Sequence, residues 1–304
     1  MEIDTAHDDP RLPPELERLV FEFAALSHPF GIARSMLVAW RVKDWVEPLL
    51  YRVLYITSPR RAQRQAHGFP AVPVEVLLQA FTSKPALFET NVECPLFDQT
   101  PIQPPRHVVV NAILSACPGI TTLLARFPLK GPSLEVLGSL QRLRRLAIHV
   151  NVLFTSPAPH ASSRIDFLHP VFRNVTHLEL LDDLYNSRTE CSLYTGIIDM
   201  PRLSHVAFND VVLCRDMEPL FQTHVRLRCL VFLGAQPELE QIPPWPHGDR
   251  FAHISRPDYV ADWFRGTQTG GDFWALAEEF LAAKRAGRVD RLRYSVSDTD
   301  ASRR

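Results

Sequence analysis

The sequence predicts an α/β chain in which helices come first, short parallel strands with irregular returns follow, and a helix closes the C-terminal end. Three observations carry that expectation. Apolar residues step by three and four from Leu16 to Leu26 and again from Val38 to Leu49, the period of a helix with one buried face. From Tyr51 onward the pattern apolar-x-x-apolar-x-apolar recurs, its later instances advancing by 23, 32, 28 and 24 residues. Near the end, Asp272 precedes an amphipathic run with Lys284 and Arg285 in its last turn and Gly287 just beyond, the marks of a capped helix.

Composition sets the frame. The 304 residues are 46% hydrophobic, 22% charged and 10% aromatic, the make-up of a globular chain able to bury a core without disulfides or metals. Lysine plus arginine number 33 against 34 acids, so no global field favours nucleic acid or an anionic membrane, and neither partner is expected. The start, Met1 to Arg11, is acidic and polar rather than a secretory leader, and no apolar run is long enough to span a bilayer. The five cysteines, Cys94, Cys117, Cys191, Cys214 and Cys229, are scattered and never form C-x-x-C, so buried reduced thiols are expected. Cytoplasm or nucleus is the expected compartment.

Leu12-Pro13-Pro14-Glu15-Leu16 opens the first helix: proline tolerates the first turn, where its missing N–H is not needed, and Glu15 suits the positive end of the helix dipole. Leu16, Leu19, Val20, Phe23 and Leu26 form its apolar side. His28-Pro29-Phe30-Gly31 breaks the pattern, and a second helix carries Val38, Val42, Trp45 and Leu49, with Pro48 expected to end or kink it. The leading Leu-Pro-Pro-Glu-Leu, followed about two dozen residues later by Val38-Ala39-Trp40-Arg41-Val42-Lys43-Asp44-Trp45, resembles the F-box. It is especially similar to the divergent F-box-like segments that open many proteins of mushroom-forming fungi. The resemblance covers about residues 12 to 55. It implies docking on the Skp-type adaptor of a cullin-RING ubiquitin ligase through Leu12, Pro13, Leu16, Leu19 and Val20, with Trp40 and Trp45 framing the module. One departure is that Ala39 stands near the cysteine that F-boxes usually carry. The alternative is a pair of helices that merely cap a larger domain.

The best repeat, Leu143 to Leu153, fits the leucine-rich pattern L-x-x-L-x-L-x-x-N-x-L with Ile148 for one leucine. Looser instances begin at Tyr51, Ile120, Val175, Leu203 and Leu227. Segments 107–117 and 133–140 can return the chain, and such units require stacking to close a core. The expected architecture is therefore F-box-like helices over 12–56, a short irregular leucine-rich-repeat-like solenoid over 57–257 and a helical cap over 258–287. A disordered start over 1–11 and a frayed tail over 288–304 complete it. A compact α/β domain sharing the same strand pattern is the alternative; the unequal spacing and the proline-rich inserts at Pro101 to Pro105 and Pro157 to Pro159 argue against a regular solenoid.

No dinucleotide, phosphate-loop, nucleophile-elbow or H-E-x-x-H motif occurs, so no catalytic residue, metal or cofactor is assigned. Arg60, Arg61, Arg64 and His67 lack interleaved aromatics and read as a solvated loop, and Gly266 to Asp272 reads as a turn. If the repeat register holds, Thr122, Arg145, His177, His205 and Cys229 align laterally, with His177 and His205 neighbours. A mixed polar concave face for an unidentified substrate protein, formed by Arg145, His149, His177, Glu179, His205 and Asn209, accounts for them. Zinc held by His177, His205 and Cys229 is the weaker alternative. The functional expectation is a non-enzymatic interaction protein, either a ligase adaptor or a binding scaffold without a ligase.

Overall fold

The computed structural model describes residues 12–57, 71–98, 106–155, 165–182, 196–209, 225–234, 249–255 and 258–297. The expected disordered start, the 60–67 basic run, both proline-rich inserts, Cys191 and Cys214 lie outside the described residues.

Helix α1 (Pro14–Ser27) begins as the sequence predicts, with Pro14 in the first turn and Glu15 and Glu17 beside it. A short 3-10 turn and α2 (Ile32–Ser35) lead to α3 (Trp40–Arg52). Ala25, Ile32, Val42 and Val46 form the small core between them, and Arg41 holds Glu17 through two hydrogen bonds of 2.9 Å. Contrary to expectation, Pro48 does not end α3. Leu49 and Leu50 pack on the same small core and Glu47 pairs with Lys84. These neighbours carry the helix through the one backbone bond that proline forfeits.

Helix α3 runs without a linker into β1 (Val53–Thr57), the second strand of a single ten-stranded sheet. The others are β2 (Ala71–Pro73), β3 (Cys94–Phe97), β4 (Thr122–Ala125), β5 (Arg145–Ile148) and β6 (His177–Leu180). After them come β7 (His205–Phe208), β8 (Cys229–Leu233), β9 (Phe251–Ile254) and β10 (Ser295–Val296). Every pairing is parallel, in the order β10-β9-β8-β7-β6-β5-β4-β3-β1-β2. One face presents Leu54, Leu123, Leu146, Leu178, Val206 and Leu230 to the main core. Helices α4 (Val74–Ser83), α5 (Pro85–Asn91), α6 (Arg106–Ala116), α7 (Leu134–Ser139) and α8 (Val150–Phe154) cover it.

The opposite face is covered as well, and many of its mid-strand positions are apolar. Tyr55, Leu96, Leu124 and Ala147 lie under α9 (Tyr259–Thr269), where Phe264 meets Tyr55 edge-on at 5.5 Å. Ala207, Val231, Leu233, Ala252 and Ile254 lie under α10 (Phe273–Arg285). Strands buried on both sides read as continuous apolar runs, and all-parallel sheets have both faces covered.

This overturns the expected F-box-like module followed by a leucine-rich-repeat-like solenoid with a C-terminal capping helix. The chain is an α/β fold with one continuous parallel sheet sandwiched between helices, and it has no open concave side. The sequence pattern misled because the apolar-x-x-apolar-x-apolar motif marks only the main-core face. The intervening positions carry Leu124, Ala147, Ala207 and Val231, which demand a second helical layer. Two further corrections follow. Helix α10 lies flat on the sheet instead of closing its end. Over 288–297 the chain is not a frayed tail, for Val289 and Val296 are buried and β10 joins the sheet beside β9.

The second layer sets a stability expectation. Phe264→Ala should destabilise the fold by about 3–5 kcal/mol, the cost of a deleted core aromatic plus its cavity. Urea unfolding followed by circular dichroism measures it. A change below about 1 kcal/mol would mean that α9 is a dispensable cover rather than part of the core.

Candidate functional site

The site is built where α9 and α10 diverge over the amino-terminal ends of β3 to β6. The row expected from the repeat spacing is in register: Thr122 pairs with Arg145, Arg145 with His177, His177 with His205 and His205 with Cys229. In a parallel pair these residues project to one face, which is the face under α9 and α10. The row is partly covered: Thr122, Arg145 and His177 are half-buried, and His205 and Cys229 are buried. Glu179 is 4% exposed and His205 3% exposed, so neither is presented to a protein surface.

The turn between the two helices pins them together. Asp272 caps α10 by accepting from the Ala275 amide at 3.1 Å, and its other oxygen takes the Arg145 guanidinium at 2.6 Å. Buried Asp262, on α9, accepts from the Phe273 amide at 3.2 Å and from Arg265 at 2.8 Å. Gly266 sits so near that a Cβ there would lie 2.7 Å from the Asp272 Cβ, so only glycine allows the approach. Gly270 ends α9 with a φ of 73°.

His177 and His205 stack at 4.1 Å, nearly parallel, and both meet the Trp274 ring edge-on at 5.1 and 5.7 Å. His177 Nδ1 lies 2.9 Å from the Thr176 hydroxyl, and its Nε2 has no hydrogen-bond partner among the described residues. His205 Nδ1 lies 2.8 Å from the Ser204 hydroxyl and its Nε2 2.9 Å from Glu278. Burial drives the His177 imidazole down to about 2, helped by His205 and Arg145, so the ring is neutral at ordinary pH. Burial also lowers His205, against the opposing pull of Glu278. Glu179 accepts from the Tyr259 hydroxyl at 3.0 Å.

Between these side chains and α9 is a cavity of about 210 Å³. That is room for roughly seven waters or one small organic molecule. Its rim carries Arg52 and Glu93, and its walls include Trp263, Phe273, Trp274 and His177. Of the six residues assigned to a substrate face, the structure gathers Arg145, His177 and Glu179 on this wall and places His205 behind them. His149 and Asn209 stand apart: His149 precedes α8, and Asn209 is exposed, its amide donating to the Leu180 carbonyl at 3.4 Å. Three of the six expected face residues thus line one pocket, with Glu179 and His205 buried and Arg145 and His177 half-buried.

The zinc alternative also fails on geometry. Two stacked imidazoles hold their nitrogen lone pairs in parallel planes that do not converge on one ion, and burial raises the Cys229 thiol, keeping it protonated. Among the described residues no group of three or more histidine, cysteine or acidic side chains is arranged to hold a metal ion. Cys94, Cys117 and Cys229 are buried free thiols, and burial pushes Cys94 up to about 11 and Cys117 up to about 12.

Sequence reasoning missed Arg52, Glu93, Tyr259 and the two tryptophans as site residues. No local signal could have found them: Arg145 and Asp272 are 127 positions apart, and Arg52 and its Thr267 partner 215. The five adaptor-docking residues do not line this cavity. Leu12, Leu16, Leu19 and Val20 are all exposed, as is Pro13 beside them. No protein-family model matches the chain, and no curated protein matches it. No helix among the described residues is long and apolar enough to cross a membrane.

The neutral imidazole gives the site a pH signature. Folding holds the His177 pKa far below its unfolded value of about 6.5, so the unfolded chain binds the extra proton first. The associated stability is complete above pH 6.5 and is lost as pH falls toward 2. His177→Asn should flatten the decline between pH 6 and 4 by up to about 1.4 kcal/mol per pH unit, read from urea midpoints at each pH. An unchanged slope would show that His177 protonates as readily in the fold as outside it.

Proposed function

We propose that the chain is a non-enzymatic interaction subunit that docks through α1 on the Skp-type adaptor of a cullin-RING ubiquitin ligase and recruits a substrate protein. One observation carries the reading. Leu12, Leu16, Leu19, Val20 and Phe23, all within twelve residues, are between 45% and 75% exposed. Only Ala25 of the whole helix is buried. Scattered apolar side chains are normal on a surface, but a contiguous ridge marks an interface. Trp40, Leu37 and Val38 at the start of α3 and just before it are exposed too and enlarge the apolar area. A helix laid with its apolar side outward suits helix-to-helix docking on a partner.

The alternative of a binding scaffold without a ligase draws on the continuity of α3 with β1, since helices joined so closely to the sheet also serve the body of the fold. The ligase reading places the protein in the cytoplasm or nucleus, where such adaptors work. Of the row expected to face a substrate protein, Arg145 and His177 are half-buried and His205 is buried.

Co-expression with a Skp-type adaptor tests the docking directly. The wild-type chain should co-purify with the adaptor, and Leu12→Asp and Leu16→Asp should each weaken the complex by at least about tenfold, as buried interface anchors do. Both positions are exposed in the free chain, so folding stability should move by no more than about 0.5 kcal/mol. A folded wild type that binds no adaptor, or variants that bind undiminished, would leave the scaffold reading in its place.

A further inference from the structure

From the cavity under α9 and α10 we infer a binding site for a small zwitterion with an aromatic or apolar body, the class to which the free aromatic amino acids belong. The site is independent of the α1 ridge and of any adaptor.

The argument is a charge inventory of the wall. Four carboxylates and two guanidiniums face the cavity, but most are already committed. Asp272 is taken by Arg145 and the Ala275 amide, Asp262 by Arg265 and the Phe273 amide, and Glu179 accepts from Tyr259. Two charges are left over, one of each sign. Arg52 gives a single hydrogen bond, from Nη2 to the Thr267 carbonyl at 3.0 Å, which leaves most of its N–H donors unused. The Glu93 carboxylate has no hydrogen-bond or ion-pair partner among the described residues, although the Glu93 amide donates to the Arg52 carbonyl at 3.0 Å. Both act on the neighbouring Cys94 thiol, Arg52 favouring its ionisation and Glu93 opposing it. Half-buried opposite charges that share a rim without pairing are completed by a molecule carrying both signs, its carboxylate on Arg52 and its ammonium on Glu93.

The remainder of the wall fits the body of such a molecule. Trp263, Phe273 and Trp274 supply apolar and aromatic surface, and His177 offers a neutral ring whose Nε2 is unpartnered among the described residues. Ala147 keeps the floor open where a larger residue on β5 would fill it. Pockets of this kind, mostly apolar with a few placed charges, are how small molecules are held, and about 210 Å³ sets a metabolite-sized limit.

Three probes with one body separate the possibilities: L-phenylalanine, 3-phenylpropanoate, which lacks the ammonium, and 2-phenylethylamine, which lacks the carboxylate. Titrated into the full chain and followed by ligand-observed NMR and thermal unfolding, L-phenylalanine should bind and raise the melting temperature. Each truncated probe should bind at least about tenfold more weakly, the loss expected for one charge-assisted contact. Glu93→Gln, a change at a half-exposed rim position, should bring L-phenylalanine down to the affinity of 3-phenylpropanoate without altering the latter. Ala147→Leu should abolish binding of all three by filling the cavity. The inference is overturned if millimolar L-phenylalanine does not bind, if it binds no better than either truncated probe, or if neither substitution changes its affinity. A preference for 3-phenylpropanoate would make the cavity an anion site and overturn it equally.

Discussion

The structure depends on an all-parallel sheet that must be dry on both sides. Most strand residues of the ten-stranded sheet are buried, and the positions between the main-core residues include Tyr55, Leu124, Ala147, Ala207 and Val231, with Glu179 the charged exception. Exposing that second face would leave a continuous apolar surface far larger than a monomer tolerates. Helices α9 and α10 are the answer, and their place explains why so much specific chemistry collects around residues 258–287. Two buried aspartates, a glycine that admits no Cβ and a left-handed glycine cap all serve to seat two helices against a sheet laid down much earlier in the chain.

Topology makes this layer unusual. From β3 to β10 the strands advance in one direction, and the returns through α6 and α7 cross the main-core face. The return from β9 to β10 crosses the other face through α9 and α10. Two crossovers that advance alike over opposite faces have opposite hands, and parallel crossovers are overwhelmingly of one hand. Here the exception is held by burial: Phe273, Trp274, Leu276, Phe280 and Leu281 are all enclosed against β7 to β10. β10 itself has only two residues, so the helix anchors the strand more than the strand anchors the helix.

The sequence was legible where one element carries its own signal. The start of α1, the Asp272 cap, the Gly287 stop and the lateral row from Thr122 to Cys229 all follow from residue type and spacing, because capping and strand register are local or nearly so. What failed was the inference from a one-face pattern to an open architecture. The motif scored Leu146 and Ile148 but passed over Ala147, although an apolar residue at the alternate position is the mark of a strand covered twice. The candidate site was half legible for the same reason. Arg145, His177 and Glu179 come from the strands, whereas Arg52 meets its Thr267 partner across 215 positions and Trp263 and Trp274 come from helices laid on the sheet from the far end of the chain.

Two parts of the molecule reverse the ordinary distribution of residues, with large apolar side chains outside on α1 and unmatched charges half inside near β3. Each is a local departure from what folding alone favours, because exposed leucines gain nothing from the core and a half-buried, unpaired carboxylate loses hydration without a partner in return. The surrounding structure tolerates both because it is over-determined there: α1 is held by Ala25 and the double Glu17–Arg41 contact, and the Glu93 backbone is fixed by bonds to Arg52, Thr121 and Thr122. Departures that the scaffold supports and that the core does not need are where function concentrates. By that criterion the apolar ridge and the charged recess are the two places the proposals rest on. Helix α3 joins them, for it packs on α1 and ends at Arg52 on the recess.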